Sequence, residues 1–484
     1  MDRKNKRCKD ILLFATITIA AFLLFFIVGK NIIDDTKLNS ALEEVPEYYT
    51  TFFSESVSSH LNELMVYVKE NEKTMTQETV DEYAKELQEV IKSYTVTDVP
   101  HVYITASNEE LYDREYHSSS IAIAPVEGGE SEEIIDFSAK IKIRGNSTAE
   151  VAKKSYTIKF SNKQDVLGMG AAKKWILSAN ALDRSLMRNK LVFDFAATIG
   201  LAYTPDSTFA DVWLNGIFIG NYLLSESIEV APTRVDIDTE QGDFLIEREA
   251  ERVSAGTTYF TTPIYGYRFG VNEPEDITEE QLEELTGFIE KVEKAIEARD
   301  WELFTSLIDE KSYIDYYILS ELFKEVDIDY SSTRFYIKNG KLYAGPTWDY
   351  DLSAGNADGD FYYDYNYHES FGPDSSYIGL WCNVNFYSYC YEFQEFRDAL
   401  GVRYNELQEV IVNLYKDNPL GINQIDSLME KYGKSFDRNY TTAGWTLRKD
   451  YILPRISEPT YEQNVEYLRV WLEKRNEFLL DSIK

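Results

Sequence analysis

The period of apolar and polar positions changes along the chain, and each change marks a change of element. From Leu38 to about Tyr94 apolar residues recur at i, i+3, i+4 and i+7, in SSHLNELMVYVKENEK and TQETVDEYAKELQEVIKSY. That period predicts a short helical stem over residues 38–96. From Val99 the period falls to two, and HVYITAS, SIAIAPV and FSAKIKIRG read as strands. AKIKIRG and SYTIKF alternate on either side of a bend at Gly145. Trp175 to Ala179 is a further strand, followed by a turn with Asp183 as a helix N-cap and a helix over Ser185 to Thr198 that Gly200 ends. Asn215-Gly216 and Asn339-Gly340 each sit between alternating runs, which predicts two hairpins. GDFLIERE (Gly242 to Glu249) is one more short strand. Beyond residue 275 the helical period returns, in EEQLEELTGFIEKVEKAIE, SYIDYYILSELFKEV and three later segments that end with EQNVEYLRVWLEKRNEFLLDSI. The pattern predicts an α+β chain, β-rich in its first half and helical in its second.

One segment follows neither period. Ile11 to Val28 carries no charge, and it follows DRKNKRCKD with its five basic residues. This predicts a transmembrane signal anchor over residues 11–29, with a cytoplasmic tail at 1–10 and the rest of a single-pass cell-membrane protein outside. The apolar run is longer than a usual signal-peptide core, and no small-x-small site follows Gly29. The formal net charge of −34 argues against nucleic acid as a partner, because phosphate recognition needs clustered Lys and Arg. It suits a protein that works with cations or with basic partners. His101, His117 and His368 are scattered without metal-ligand spacing, and Cys382 and Cys390 are consistent with either a disulfide or two buried thiols.

Two acidic clusters, Asp327/Asp329 and Asp349/Asp351, flank the Asn339-Gly340 hairpin. A hairpin returns its ends to one place, so the clusters are expected within reach of each other. Gathered acids repel unless one stays protonated or a cation lies between them. In an extended segment Asp349 and Asp351 share one face, and Trp348 and Tyr350 take the other. These positions predict a divalent-metal site beside a catalytic carboxylate; solvated turn acids are the plainer alternative. The Gly145 turn supplies the opposite charge, with Arg144, Lys153, Lys154 and Lys159 around a glycine and small hydroxyls. Backbone N–H groups, hydroxyls and point charges are what a phosphate needs, although no Walker A spacing is present. Paired carboxylates also serve glycoside hydrolysis, but that chemistry leaves the basic turn unexplained.

GKLYAGPTWDYDLSAGN, preceded by EVDIDYSS, resembles the core motif of the CotH (spore coat protein H) family of atypical, protein-kinase-like enzymes. IKIRGNSTAEVAKKSYTIKF resembles the same family's N-terminal signature, and WILSANALDRSLMRN is similar to a further family segment. The resemblance covers most of Val99 to Lys484. It implies a two-lobed, protein-kinase-like domain over residues 99–484, with a β-rich N-lobe at about 99–250 and a helical C-lobe at about 275–484. It also implies transfer of the ATP γ-phosphate, with Mg²⁺ or Mn²⁺, to Ser/Thr residues of a protein on the extracytoplasmic side, an acceptor expected to be basic in this setting. By this resemblance Asp327 is the general base, and Asp351 is the main metal ligand with Asp349 in support. Lys154 and Glu226 form a phosphate-binding pair of the kind kinases use, with Arg144 beside them. Arg188 faces the phosphates or else pairs with Asp183 or Asp194. Glu325 and Ser332 depart from the pattern, standing where the family and ordinary kinases respectively often carry Asn. A catalytically inactive cell-surface binding or adhesion protein with the same fold is the alternative function.

Overall fold

In the computed structural model, the structure describes residues 33–46, 49–71, 74–92, 94, 98–106, 111, 113–145, 147–250, 256–325, 327–328, 330–357, 372–374, 386–446 and 458–483. The chain divides into two compact units, residues 1–95 and 96–484. In the first, helices α1 (Thr36–Glu43), α2 (Tyr49–Phe52), α3 (Glu55–Asn71) and α4 (Gln77–Lys92) carry their apolar residues on one stripe each. Leu38, Leu61, Leu64, Val80, Ala84 and Leu87 are buried there.

The second unit begins with strands whose alternation puts every second residue inside. β1 (His101–Ala106), β2 (His117–Ala124), β3 (Ile134–Arg144), β4 (Ser155–Asp165), β5 (Ala171–Ser178), β6 (Ser207–Leu214) and β7 (Ile217–Glu226) close into a barrel in the order β1-β2-β3-β4-β5-β7-β6. Closure is made by β1 lying parallel to β6, which leaves no free edge. The barrel core includes Ile104, Ile123, Ile141, Ile158, Trp175, Leu177, Val212 and Leu224. The polar members of the alternation, Lys142, Lys159 and Lys174 among them, belong to the opposite, outer face.

A second, five-stranded sheet comprises β8 (Phe244–Arg248), β9 (Thr258–Thr261), β10 (Arg268–Glu273), β11 (Arg334–Lys338) and β12 (Lys341–Ala344), in the order β12-β11-β8-β10-β9. It packs in one large core with α5 (Arg188–Ile199), α6 (Glu279–Glu297), α7 (Trp301–Leu307) and α8 (Glu310–Phe323). The same core takes in α9 (Gln394–Glu406), α10 (Gln408–Asn413), α11 (Gln424–Thr441) and α12 (Tyr461–Ser482). The caps follow their chemistry. Thr278 and Thr460 each form a capping box, with Gln281 and Gln463 as the reciprocal partners.

Two sequence expectations are corrected. A two-lobed, kinase-like division into a β-rich first half and a helical second half does not describe this chain. β11 and β12, expected within the helical half, pair through β11 with β8 of the first half, and the first seven strands close on themselves. Alternation shows which face of a strand is buried, but it does not name the strand's neighbour. The membrane placement is the second correction. Among the described residues no helix is long and apolar enough to cross a membrane. Residues 11–29, where the span was expected, lie outside the described residues.

Candidate active site

The β11–β12 hairpin brings its two ends together. Helix α8 ends at Lys324 in the left-handed conformation, which turns the chain sharply into Glu325 and Asp327. The backbone N–H of Asp327 donates to Glu325 Oε1 at 2.9 Å. On the return arm, Ser332 Oγ donates to Asp349 Oδ2 at 3.1 Å and ties the two ends of the hairpin. Asp349 has φ +70, so the segment is not a plain extended strand. Trp348 and Tyr350 are nonetheless buried, and Asp349 is exposed. Burial, followed by the charges of Asp327, Asp349 and Asp351, pushes the Glu325 carboxyl well above the usual carboxylate range. Burial likewise pushes Asp351 up, with Asp349, Asp183 and Asp327 adding to it and Arg188 opposing. These carboxylates share one electrostatic environment.

Three buried polar side chains hold the Asp351 segment. Arg188, 1 % exposed, pairs with Asp183 at 2.5 Å and donates from Nε to the Ser353 carbonyl at 2.9 Å and from Nη2 to the Ala354 carbonyl at 3.3 Å. Asn189 Oδ1 accepts the Tyr350 N–H at 2.7 Å. Asn356 Nδ2 donates to the Asp351 carbonyl at 2.7 Å and the Leu182 carbonyl at 2.9 Å, while its buried Oδ1 has no partner among the described residues. Of the two alternatives for Arg188, pairing with Asp183 is the one formed. The side chain is a clamp on the acidic loop.

Beside the acids lies a cavity of about 420 Å³, lined by Tyr116, Lys142, Arg144, Thr157, Lys159, Lys174, Ile176, Ser227, Ile228, Glu275, Arg334 and Trp348. Five of these are cations, in a chain that is acidic overall. Arg144 is the link between the two features. Its guanidinium lies 5.0 Å from the Trp348 ring centre. Burial lowers its proton affinity, and Asp349 and Asp351 work against that. Arg334 lies 5.9 Å from the same Trp348 ring centre and pairs with Glu247 at 2.8 Å.

Other residues expected at the site lie elsewhere. Lys154 Nζ donates to the Ala149 carbonyl at 2.7 Å. Glu226 pairs with Arg234 and not with Lys154, and it accepts the Asp206 N–H at 2.9 Å; burial pushes its carboxyl up to about 7. The neighbouring Lys153 is the buried lysine of this turn, donating to the Ala179 and Asn221 carbonyls and to Asn439 Oδ1. Lys142, Lys174 and Arg334 were not singled out in the sequence. Period-two spacing from Arg144 and Lys159 would have found Lys142, since it shares Arg144's face of β3. Asp329, His368 and Cys382 lie outside the described residues. Cys390 is a buried free thiol.

The CotH family, described as "CotH kinase protein", matches residues 141–479. The chain belongs to the CotH family. It is 39 % identical over 89 residues to inner spore coat protein H of Bacillus subtilis (strain 168). That stretch is 18 % of this chain and 24 % of the relative, so the match spans about a quarter of that protein. The CotH segment contains the acids and every residue lining the cavity except Tyr116. Among the described residues no three His, Cys, Asp or Glu side chains are grouped to hold an ion. Mg²⁺ is commonly held by one or two carboxylates together with substrate phosphates and waters. Asp349 and Asp351, mutually repelling and beside the orphaned Asn356 Oδ1, are hard oxygen donors that fit this partial set.

Proposed function

We propose that this CotH chain transfers the γ-phosphoryl group of ATP to Ser or Thr hydroxyls of an acceptor protein. The observation that carries the reading is the position of Arg144, a half-buried member of the five-cation cavity that lies within electrostatic reach of Asp349 and Asp351. Phosphoryl transfer asks for this juxtaposition: cations along the phosphates, carboxylates for a metal, and an acid to take the acceptor's proton. Arg144, with Lys142 and Arg334, holds the phosphates. Asp351, with Asp349 and Asn356 Oδ1 beside it, holds Mg²⁺ or Mn²⁺. The bound ion neutralises charge on the phosphate oxygens. Asp327 receives the hydroxyl proton, and the Glu325 contact to its backbone fixes its turn. Arg188 and Asn189 keep the Asp351 segment in place. Lys154 and Glu226 serve the fold around the cavity. The chain's net charge of −34 favours an acceptor with basic segments, and its similarity to an inner spore coat protein supports the spore coat as the setting.

The test is incorporation of γ-labelled phosphate by the full chain with Mg²⁺ or Mn²⁺. Asp351→Ala and Asp327→Ala are each expected to reduce it by about a hundredfold or more. Label that persists in both variants, or no label together with no metal-dependent ATP binding, overturns the reading.

A further inference from the structure

The cations of the cavity extend well beyond the acids. Antiparallel register sets Lys142 opposite Thr157, and Thr157 opposite Ile176. Arg144 lies two residues along β3 on one side of that row. On the other side lie Lys159 of β4 and Lys174 of β5, directly opposite each other. At about 3.4 Å per residue along a strand and about 4.8 Å between strands, the diagonal from Arg144 to Lys174 is roughly 17 Å at the Cα level. This is much longer than a triphosphate chain. Tyr116 sits along the diagonal, with Lys142 Nζ 4.6 Å and Lys159 Nζ 5.6 Å from its ring centre.

Among the described residues three of the five cations lack a direct ion pair, although Glu275 also lines the cavity. Lys174 pairs with Glu229 at 3.3 Å and Arg334 with Glu247 at 2.8 Å. Lys142, Arg144 and Lys159 form no ion pair among the described residues. The cations also work against one another. Burial lowers the proton affinity of Lys142, Lys174 lowers it further, Glu115 opposes this, and Arg144 and Lys159 add smaller lowering effects. Like charges gathered on one face are held at a cost unless an anion joins them. A nucleoside triphosphate with its phosphates at Arg144 would place an uncharged sugar and base against Lys159 and Lys174.

We propose that the cavity binds a linear polyanion longer than a triphosphate, of the inorganic polyphosphate type, laid along the diagonal from Arg144 to Lys174. The proposal rests on the phosphoryl-transfer reading of the same cavity and names a longer donor for it. As donor, the chain loses its terminal phosphoryl group. The terminal P–O–P bond breaks, a P–O bond to the acceptor oxygen forms, the hydroxyl proton passes to a carboxylate, and the shortened chain leaves with the bridging oxygen.

The experiment measures binding of pyrophosphate, tripolyphosphate, ATP and a polyphosphate long enough to span the diagonal, by calorimetry on the full chain. The long chain is expected to bind roughly tenfold more tightly per molecule than tripolyphosphate, as two further cation contacts allow. The double variant Lys159→Gln/Lys174→Gln removes that advantage and leaves tripolyphosphate binding unchanged. Lys163→Gln, at an exposed β4 position outside the cavity, leaves both unchanged. Equal affinity for the long chain and tripolyphosphate overturns the proposal, as does an equal loss of both in the double variant or an effect of Lys163→Gln as large as that of the double variant. Failure of tripolyphosphate and ATP alike to bind overturns the phosphoryl-transfer reading beneath it.

Discussion

Glu325 shows how one side chain is set by its surroundings. It is buried beside Asp327, Asp349 and Asp351, and it accepts the Asp327 backbone N–H. Its carboxyl therefore binds a proton more tightly folded than unfolded. A raised carboxyl contributes stability below the ordinary carboxylate range and loses it as pH rises through the folded value. Glu325→Gln keeps the oxygen that accepts the Asp327 N–H and removes the charge. Without metal, the variant is expected to unfold about 2–4 °C higher than the parent at neutral pH, a difference of about 1 kcal/mol. The gap closes as pH falls into the acid range. Melting curves across pH check this, and a variant less stable at neutral pH than in acid, relative to the parent, would contradict it.

At the scale of elements, the barrel is joined to helix α11 by a small set of polar contacts. Asn439 Oδ1 accepts from Lys153 Nζ at 2.8 Å and from the Asn221 N–H at 3.2 Å. Arg438 pairs with Asp211 at 2.6 Å and with Asp98 at 2.8 Å. This joint requires close approach at Gly220, which has φ +105; an added Cβ would lie 2.5 Å from Asn439 Oδ1 and 3.1 Å from Trp445. Gly220→Ala is expected to destabilise the chain by about 2 kcal/mol through strain and displacement of Asn439. Gly433 lies inside α11, and the nearest atom to an added Cβ there is 3.9 Å away. Gly433→Ala is expected to stabilise by about 0.5–1 kcal/mol. Denaturant unfolding of the pair separates the joint from a general effect of Gly-to-Ala substitution.

At the scale of the whole molecule, each of the two units buries its own apolar residues. The acids, the cation cavity and the α11 joint all belong to residues 96–484. A chain of residues 96–484 alone is expected to unfold cooperatively and to bind ATP within about twofold of the full chain, as an independent unit with its own core does. Thermal unfolding and calorimetry check this. Loss of the cooperative transition would mean that the helices of residues 1–95 complete the second unit's core.

Local signals determined a good part of this protein. Asn215-Gly216 and Asn339-Gly340 do turn hairpins, because both residues accept positive φ. The motifs around Trp348 to Asp351 and around Gly145 together indicated the CotH family, because each is a run of residues consecutive in the chain. The second hairpin also implied that its two ends would meet, as Ser332 and Asp349 do, since two paired strands return their ends to one place. Other features were decided only by tertiary structure. Lys153 and Lys154 are adjacent and chemically alike, and only packing against Asn221 and Asn439 makes Lys153 the buried one. Glu226 met Arg234 because the chain folds back after β7, a contact that strand alternation cannot specify. The barrel's closure, the pairing of β11 with β8 and the cation face opposite Trp348 all join residues far apart in sequence. Periodicity fixes which way a side chain points, but long-range pairing chooses what it meets.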